Sequence, residues 1–121
     1  MKKILLIEDN TDAILLLTIL IKRKNIPLIT AENGVDGIKL FSENKNEIDL
    51  VLMDLGLPDM DGMTVATEIL KIKQINIIIQ TAYSDIQHRE QVLNLVTDYI
   101  IKPIRADNFY KILNKYFFNE E

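Results

Sequence analysis

Short apolar runs alternate with longer amphipathic segments along the whole chain. The runs are too short for helices and show little polar alternation, which predicts buried strands. The segments between them carry apolar residues at helical spacing, which predicts helices. The predicted strands are Ile4–Ile7, Ile26–Ala31, Leu50–Met53, Ile75–Gln80 and Tyr99–Ile101. The predicted helices cover residues of about 11–24, 34–44, 63–73, 84–95 and 106–118.

Five alternations of strand and helix predict an α/β fold, a flavodoxin-like (βα)5 doubly wound sandwich with a parallel five-stranded sheet. Pro27 lies near the start of the second run and lacks an N–H, which is tolerated best at a sheet edge. With that strand at an edge and right-handed crossovers, the strand order 2-1-3-4-5 fits best. No linker or repeat interrupts residues 1–121, so we expect one domain.

Two helices have a recognisable apolar face, and two have candidate capping residues. The second helix is predicted to bury Val35, Ile38, Leu40 and Phe41. The last helix repeats Phe109, Ile112, Leu113, Tyr116 and Phe117 at helical spacing. The first helix can be capped by Asn10, Thr11 or Asp12, and the fourth by Ser84 or Asp85.

Composition and charge exclude several function classes. The formal net charge of −4 and the absence of a basic stripe argue against direct nucleic-acid binding. Lys22-Arg23-Lys24, the basic run, is best explained as favourable charge at a helix end. Without cysteine, and with His88 as the one histidine, thiolate and multi-histidine metal sites are excluded. No apolar stretch could span a membrane, so we expect a cytoplasmic domain without membrane contact.

Polar residues follow three of the predicted strands directly. Glu8-Asp9 follows the first strand, Asp54 the third, and Thr81 the fourth. In the order 2-1-3-4-5 these strand ends are neighbours at the edge where open α/β sheets bind ligands. Their carboxylates could share a hard divalent cation such as Mg²⁺. Asp54 could then act as a nucleophile that forms an aspartyl phosphate.

Lys102-Pro103, just after the fifth strand, would bring a cation to the same edge. A cis bond before the proline could turn Lys102 toward the acids, where it would offset charge on a phosphoryl group. Each signal alone has an ordinary structural explanation. Glu8-Asp9 could cap a helix, Asp54 could start a turn, and Thr81 is a common strand residue. Their convergence on one edge favours a phosphoryl-transfer site.

In this combination the chain resembles a receiver domain of two-component signalling, standing alone or attached to a hybrid sensor histidine kinase. The similarity covers nearly the whole chain and includes five motifs in order. They are Glu8-Asp9, the segment from Met53 to Gly62 around Asp54, Thr81-Ala82, Tyr99 and Lys102-Pro103. Any one of them is a weak signal, but all five at these spacings are specific.

The resemblance implies a mechanism and partners. A histidine kinase or a histidine phosphotransfer protein would donate a phosphoryl group to Asp54 in the presence of Mg²⁺. Asp9, Asp54 and the backbone carbonyl of Gly56 would bind the metal directly, and Glu8 mostly through water. Lys102 and Thr81 would hold the phosphoryl oxygens. Lys102 and Thr81 would thus be catalytic residues together with the acceptor Asp54. The domain would not be a stand-alone enzyme.

The resemblance also implies a switch, and one segment departs from the family pattern. Thr81 and Tyr99 would move on phosphorylation and remodel the face of helix 4, strand 5 and helix 5, which could also mediate phosphorylation-dependent dimerisation. Receivers usually have a glycine in the turn before strand 5, whereas residues 93–98 have none. We therefore expect the fourth helix to end another way, with Asn94 as the candidate terminating residue.

Three competing functions are less consistent with the sequence. Phosphatases with an aspartate nucleophile usually carry it on the first strand, with a second acid two residues later, whereas here Asp54 is on the third strand and position 56 is Gly. A flavin mononucleotide binder would need a Ser-, Thr- and Gly-rich loop in place of Glu8-Asp9, which would repel the phosphate. A degenerate receiver would lack part of the site, but Asp9, Asp54, Thr81 and Lys102 are all present.

Overall fold

Ten elements alternate between strand and helix in a computed structural model that describes residues 2–82 and 89–118. The strands are β1 (Lys3–Ile7), β2 (Leu28–Ala31), β3 (Ile48–Asp54), β4 (Ile77–Thr81) and β5 (Asp98–Ile101). The helices are α1 (Thr11–Lys22), α2 (Gly34–Asn44), α3 (Gly62–Ile72), α4 (Arg89–Leu95) and α5 (Ala106–Tyr116). No helix in these ranges is long and apolar enough to cross a membrane.

The five strands form one parallel sheet in the order β2-β1-β3-β4-β5, which confirms the predicted flavodoxin-like fold. The register pairs Ile7 with Met53, Asp54 with Gln80, and Gln80 with Ile100. The carboxyl ends of β1, β3, β4 and β5 therefore lie side by side. This is the edge at which the sequence places the polar cluster.

Two apolar layers, one on each face of the sheet, hold the fold together. Alternate strand residues point to opposite faces, and in Ile4–Ile7 and Leu50–Met53 both sets are apolar and buried. One layer packs against α2 and α3 through Phe41, Val65, Ala66 and Ile69. The other packs against α1 and α5 through Leu17, Leu20, Ile21, Phe109, Leu113 and Phe117. Such double coverage fixes the strands that carry the functional residues.

The start of α1 follows the predicted capping, whereas one residue of the face predicted for α2 is exposed. The Asn10 side chain accepts a hydrogen bond from the Ala13 N–H at 2.9 Å and so caps α1. α2 covers Gly34–Asn44, as predicted, and buries Phe41. Val35, however, is 59% exposed, so its predicted burial is wrong. It lies in the first turn of α2, where its N–H is bound by Asp59 and its side chain faces solvent.

Strand boundaries differ from the predictions by one or two residues, at amino and carboxyl ends alike. β2 begins at Leu28, so Pro27 precedes the edge strand, and its carbonyl accepts a hydrogen bond from the Ile4 N–H at 3.0 Å. β4 begins at Ile77, two residues later than predicted. β3 is longer than the apolar run, because Ile48 pairs with Lys3 at its start and Asp54 with Gln80 at its end.

The glycine-free turn between α4 and β5 is held by a threonine. α4 continues through Asn94 to Leu95. Asn94 is not in the left-handed conformation, because Asn25 is the one described non-glycine residue with a positive φ. The prediction that Asn94 terminates the helix is therefore wrong. Thr97 Oγ1 accepts a hydrogen bond from the Ile77 N–H and donates one to Asn76 Oδ1, each at 3.1 Å. The predictions for Ser84, Asp85 and His88 lie outside the described residues.

Candidate functional site

Three carboxylates meet at the carboxyl edge of the sheet. Glu8 and Asp9 come directly after β1, and Asp54 is the last residue of β3. One oxygen from each lies within 4.8 Å of the other two. Glu8 is fully buried, Asp54 is partly buried and Asp9 is exposed, so the cluster opens to solvent on the Asp9 side.

Lys102 bridges two of these acids from the far side of β4. Its Nζ lies 3.2 Å from Glu8 Oε1 and 3.2 Å from Asp54 Oδ1. The peptide bond between Lys102 and Pro103 is cis. The Lys102 N–H donates to the Thr81 carbonyl at 2.8 Å, which ties the residue to the end of β4. Lys102 therefore joins the acids as the sequence predicts.

The charged groups at this edge shift one another's pKa values. Burial, followed by repulsion from the Asp54 carboxylate, raises the pKa of Glu8, although Lys102 opposes that change. Burial alone would lower the pKa of Lys102, but attraction to Glu8 and Asp54 outweighs it and raises the pKa. Glu8 Oε2 also accepts from the backbone N–H groups of Asp9 and Asn10, at 3.1 and 3.4 Å. Both Glu8 oxygens are therefore already hydrogen-bonded.

The donors suit a hard divalent cation. By formal charge, three carboxylates and one ammonium sum to −2, which a divalent ion would balance. Carboxylate oxygens are the ligands that Mg²⁺ prefers. Gly56 lies beside the group, since a Cβ there would be 3.8 Å from Asp54 Oδ2. The residues present therefore fit the predicted magnesium site.

The two predicted switch residues lie on the opposite face of the sheet from Asp54. Thr81 ends β4 one residue beyond Gln80, the register partner of Asp54, and its hydroxyl donates to the Ala82 carbonyl at 3.2 Å. Tyr99 pairs with Ile79 and is partly buried against the layer covered by α2 and α3. The strand register thus makes Tyr99 and Thr81 diagonal neighbours on one face.

A search against protein families agrees with this geometry. The family model described as response regulator receiver domain matches residues 4–114. The chain belongs to this family. The receiver domain is 35% identical to the transcriptional regulatory protein SrrA of Staphylococcus aureus over 84% of this chain and 42% of that protein. It spans 20% of the Arabidopsis regulator ARR10 and 25% of the Escherichia coli regulator GlrR.

Solved structures give the same answer for the fold. A receiver domain protein from Clostridium thermocellum superposes with a TM-score of 0.89 at 27% identity, over 98% of this chain and 96% of that one. The receiver domain of the sensor histidine kinase PA1611 from Pseudomonas aeruginosa has a TM-score of 0.82 at 26% identity, over 94% and 95%. That structure has a magnesium ion in its active site cleft.

Two residues of this receiver domain were not singled out from the sequence. Asp59 accepts hydrogen bonds from the start of α2, and Gln80 is buried beside Asp54 in the sheet register. Gln80 could have been noticed as an amide that interrupts an isoleucine run. No local pattern reveals the Asp59 contact, because its partners lie 24 and 25 residues earlier in the chain.

Proposed function

We propose that this receiver domain takes a phosphoryl group from a phosphohistidine and holds it on Asp54. The donor would be a histidine kinase or a histidine phosphotransfer protein in the cytoplasm. A carboxylate oxygen of Asp54 attacks phosphorus, the P–O bond forms, and the P–N bond to the imidazole breaks. The observation that carries the proposal is the Lys102 ammonium, 3.2 Å from both Glu8 and Asp54, within a cluster of three carboxylates.

Lys102 supplies the positive charge that this transfer needs from the chain itself. It already contacts the Asp54 oxygen and is tethered to the end of β4, so it can follow charge onto the phosphoryl oxygens with little rearrangement. Thr81, at the next strand end, would turn its hydroxyl from the Ala82 carbonyl toward the same oxygens. Both residues act on the transferring group, and neither needs to change its own protonation state.

Asp9, Asp54 and the Gly56 carbonyl would hold Mg²⁺ directly, with Glu8 acting through water. Glu8 is suited to that indirect role because both of its oxygens already accept hydrogen bonds. When bound, the ion supplies positive charge to the phosphoryl oxygens. The magnesium in the PA1611 cleft supports this assignment.

The output would be a change in the face formed by α4, β5 and α5. Thr81 and Tyr99 share one face of the sheet, so a movement of Thr81 toward the phosphoryl group would open space beside Tyr99. An inward Tyr99 would alter the surface of β5, a candidate surface for phosphorylation-dependent dimerisation. In this proposal the domain catalyses only its own phosphorylation and dephosphorylation and is not a stand-alone enzyme.

Intact-mass spectrometry after treatment with acetyl phosphate tests the proposal. We expect the mass to rise by one phosphoryl group when Mg²⁺ is present. We expect no rise when EDTA removes the metal. Asp54→Asn should abolish the gain. Asp49→Asn is a matched control, because Asp49 lies on the same strand at the opposite end. The proposal is wrong if the gain is absent with Mg²⁺ or persists in Asp54→Asn.

A further inference from the structure

Asp59 joins the loop after the acceptor to a different part of the fold. It lies in residues 55–61, between β3 and α3, and its carboxylate binds the first turn of α2. Oδ1 accepts from the Gly34 N–H at 2.7 Å and Oδ2 from the Val35 N–H at 2.9 Å. These N–H groups lower the pKa of Asp59, so the side chain is an anion at neutral pH.

The same contact is supported by close packing. A Cβ on Gly34 would lie 2.8 Å from Val65 Cγ2 and 3.0 Å from Met60 Sδ. The start of α2 therefore presses against both the loop and α3, and a side chain at Gly34 would force them apart. Asp59 binds α2 where the two surfaces already touch.

The loop is closed on itself at its base. The Gly62 N–H donates to the Leu55 carbonyl at 3.2 Å, and a Cβ on Gly62 would lie 2.9 Å from Leu55 Cα. Gly56 and Asp61 form a bridge within the loop. In the described parts of the chain, Asp59 makes the side-chain hydrogen bonds that fix this closed loop to another element.

We infer that Asp59 is a positioning residue for Mg²⁺, because it holds the loop that carries Gly56 against α2. The inference rests on the proposed function, in which the Gly56 carbonyl is a metal ligand. Asp59 itself would not bind the metal, because both of its carboxylate oxygens accept hydrogen bonds from α2. Its two bonds fix the position of Gly56 relative to the Asp54 carboxylate, and a loop released from α2 would present that carbonyl less often in the binding geometry.

Isothermal titration of the full chain with MgCl₂ measures this effect, at a temperature well below the unfolding transition. Asp59→Ala removes both hydrogen bonds, and Asp59→Asn can accept only one of them through its amide oxygen. We expect the Kd for Mg²⁺ to rise about 10-fold in Asp59→Ala, as for other residues that support metal ligands, and less in Asp59→Asn.

Asn33→Ala separates positioning from general loss of stability. Asn33 caps the same helix by accepting from the Asp36 N–H at 2.8 Å, but it is not part of the loop. The variant should lower the melting temperature and leave the Kd for Mg²⁺ unchanged. The inference is overturned if Asp59→Ala binds Mg²⁺ as the wild type does, or if Asn33→Ala weakens binding equally.

The proposed function and this inference fail in different ways. If the wild type shows no magnesium-dependent mass gain from acetyl phosphate, the proposed function is wrong. If the wild type gains the mass and binds Mg²⁺ while Asp59→Ala has an unchanged Kd, only the role of Asp59 is wrong. Titration without phosphodonor provides the second result independently of phosphorylation.

Discussion

Replacing Gln80 by leucine is expected to stabilise the domain. Gln80 lies in β4 between Asp54 and Ile100 in the sheet register and is 1% exposed. Neither its Oε1 nor its Nε2 has a hydrogen-bond partner among the residues that the structure describes. Strand alternation places the side chain on the face of Ile78, in the layer covered by α1 and α5. Within the described ranges, the amide is therefore buried without a compensating hydrogen bond.

The size of the effect follows from this burial. A buried polar group without a partner costs about 1–3 kcal/mol. Leucine has a similar size and needs no partner, so it removes that cost and leaves no large cavity. We expect the free energy of unfolding of Gln80→Leu to rise by about 1–3 kcal/mol. For a chain of this length each kcal/mol raises the melting temperature by about 4 °C.

Urea denaturation followed by circular dichroism measures the difference, and Gln74→Leu is a matched control. Gln74 is exposed, so the same substitution should change the free energy of unfolding by no more than about 0.5 kcal/mol. An unchanged or lower stability of Gln80→Leu would refute the reasoning. It would mean that the Gln80 amide is hydrogen-bonded in solution and that its burial is not a net cost.

Two further predictions concern the anchoring of β5. Thr97→Val removes the hydroxyl that accepts from the Ile77 N–H and donates to Asn76, so the free energy of unfolding should fall by about 1–2 kcal/mol. Thr64→Val, at an exposed position of α3, should show little change in the same urea titration. Burial and a hydrogen bond to Asp98 at 2.7 Å raise the pKa of Tyr116. The stability linked to this shift is therefore fully present below a pH of about 10, and it is lost as the pH rises through the pKa of the folded state. Tyr116→Phe should therefore lose less stability than the wild type over that alkaline range, and equal losses in thermal melts would contradict this assignment.

The sequence predicts the fold and the meeting of the acids for the same reason. Each strand run ends at a polar residue, and parallel strands bring their carboxyl ends to one edge. Once Pro27 marks the edge strand, Glu8, Asp9, Asp54 and Lys102 must converge. Their meeting at one edge is therefore predictable from periodicity and chain order, whereas the roles assigned to them come from the resemblance to receiver domains.

The contacts that support the site are not predictable in this way. Asp59 reaches Gly34 and Val35 because the loop and the start of α2 are pressed together, which depends on the finished packing. Val35 fits the apolar pattern of its helix, yet its side chain is exposed in the first turn. The local sequence pattern predicts which face of a helix or strand is apolar. It does not predict which other element packs against that face.

The bonding of Glu8 bears on which cation the site selects. Its oxygens are taken up by Lys102 and by the N–H groups of Asp9 and Asn10, so few protein oxygens are left to bind an ion directly. Ca²⁺ seeks six to eight oxygen ligands, whereas Mg²⁺ keeps several of its own waters. We therefore expect the site to discriminate against Ca²⁺, so that Ca²⁺ would compete poorly with the Mg²⁺ that the proposed phosphorylation of Asp54 requires.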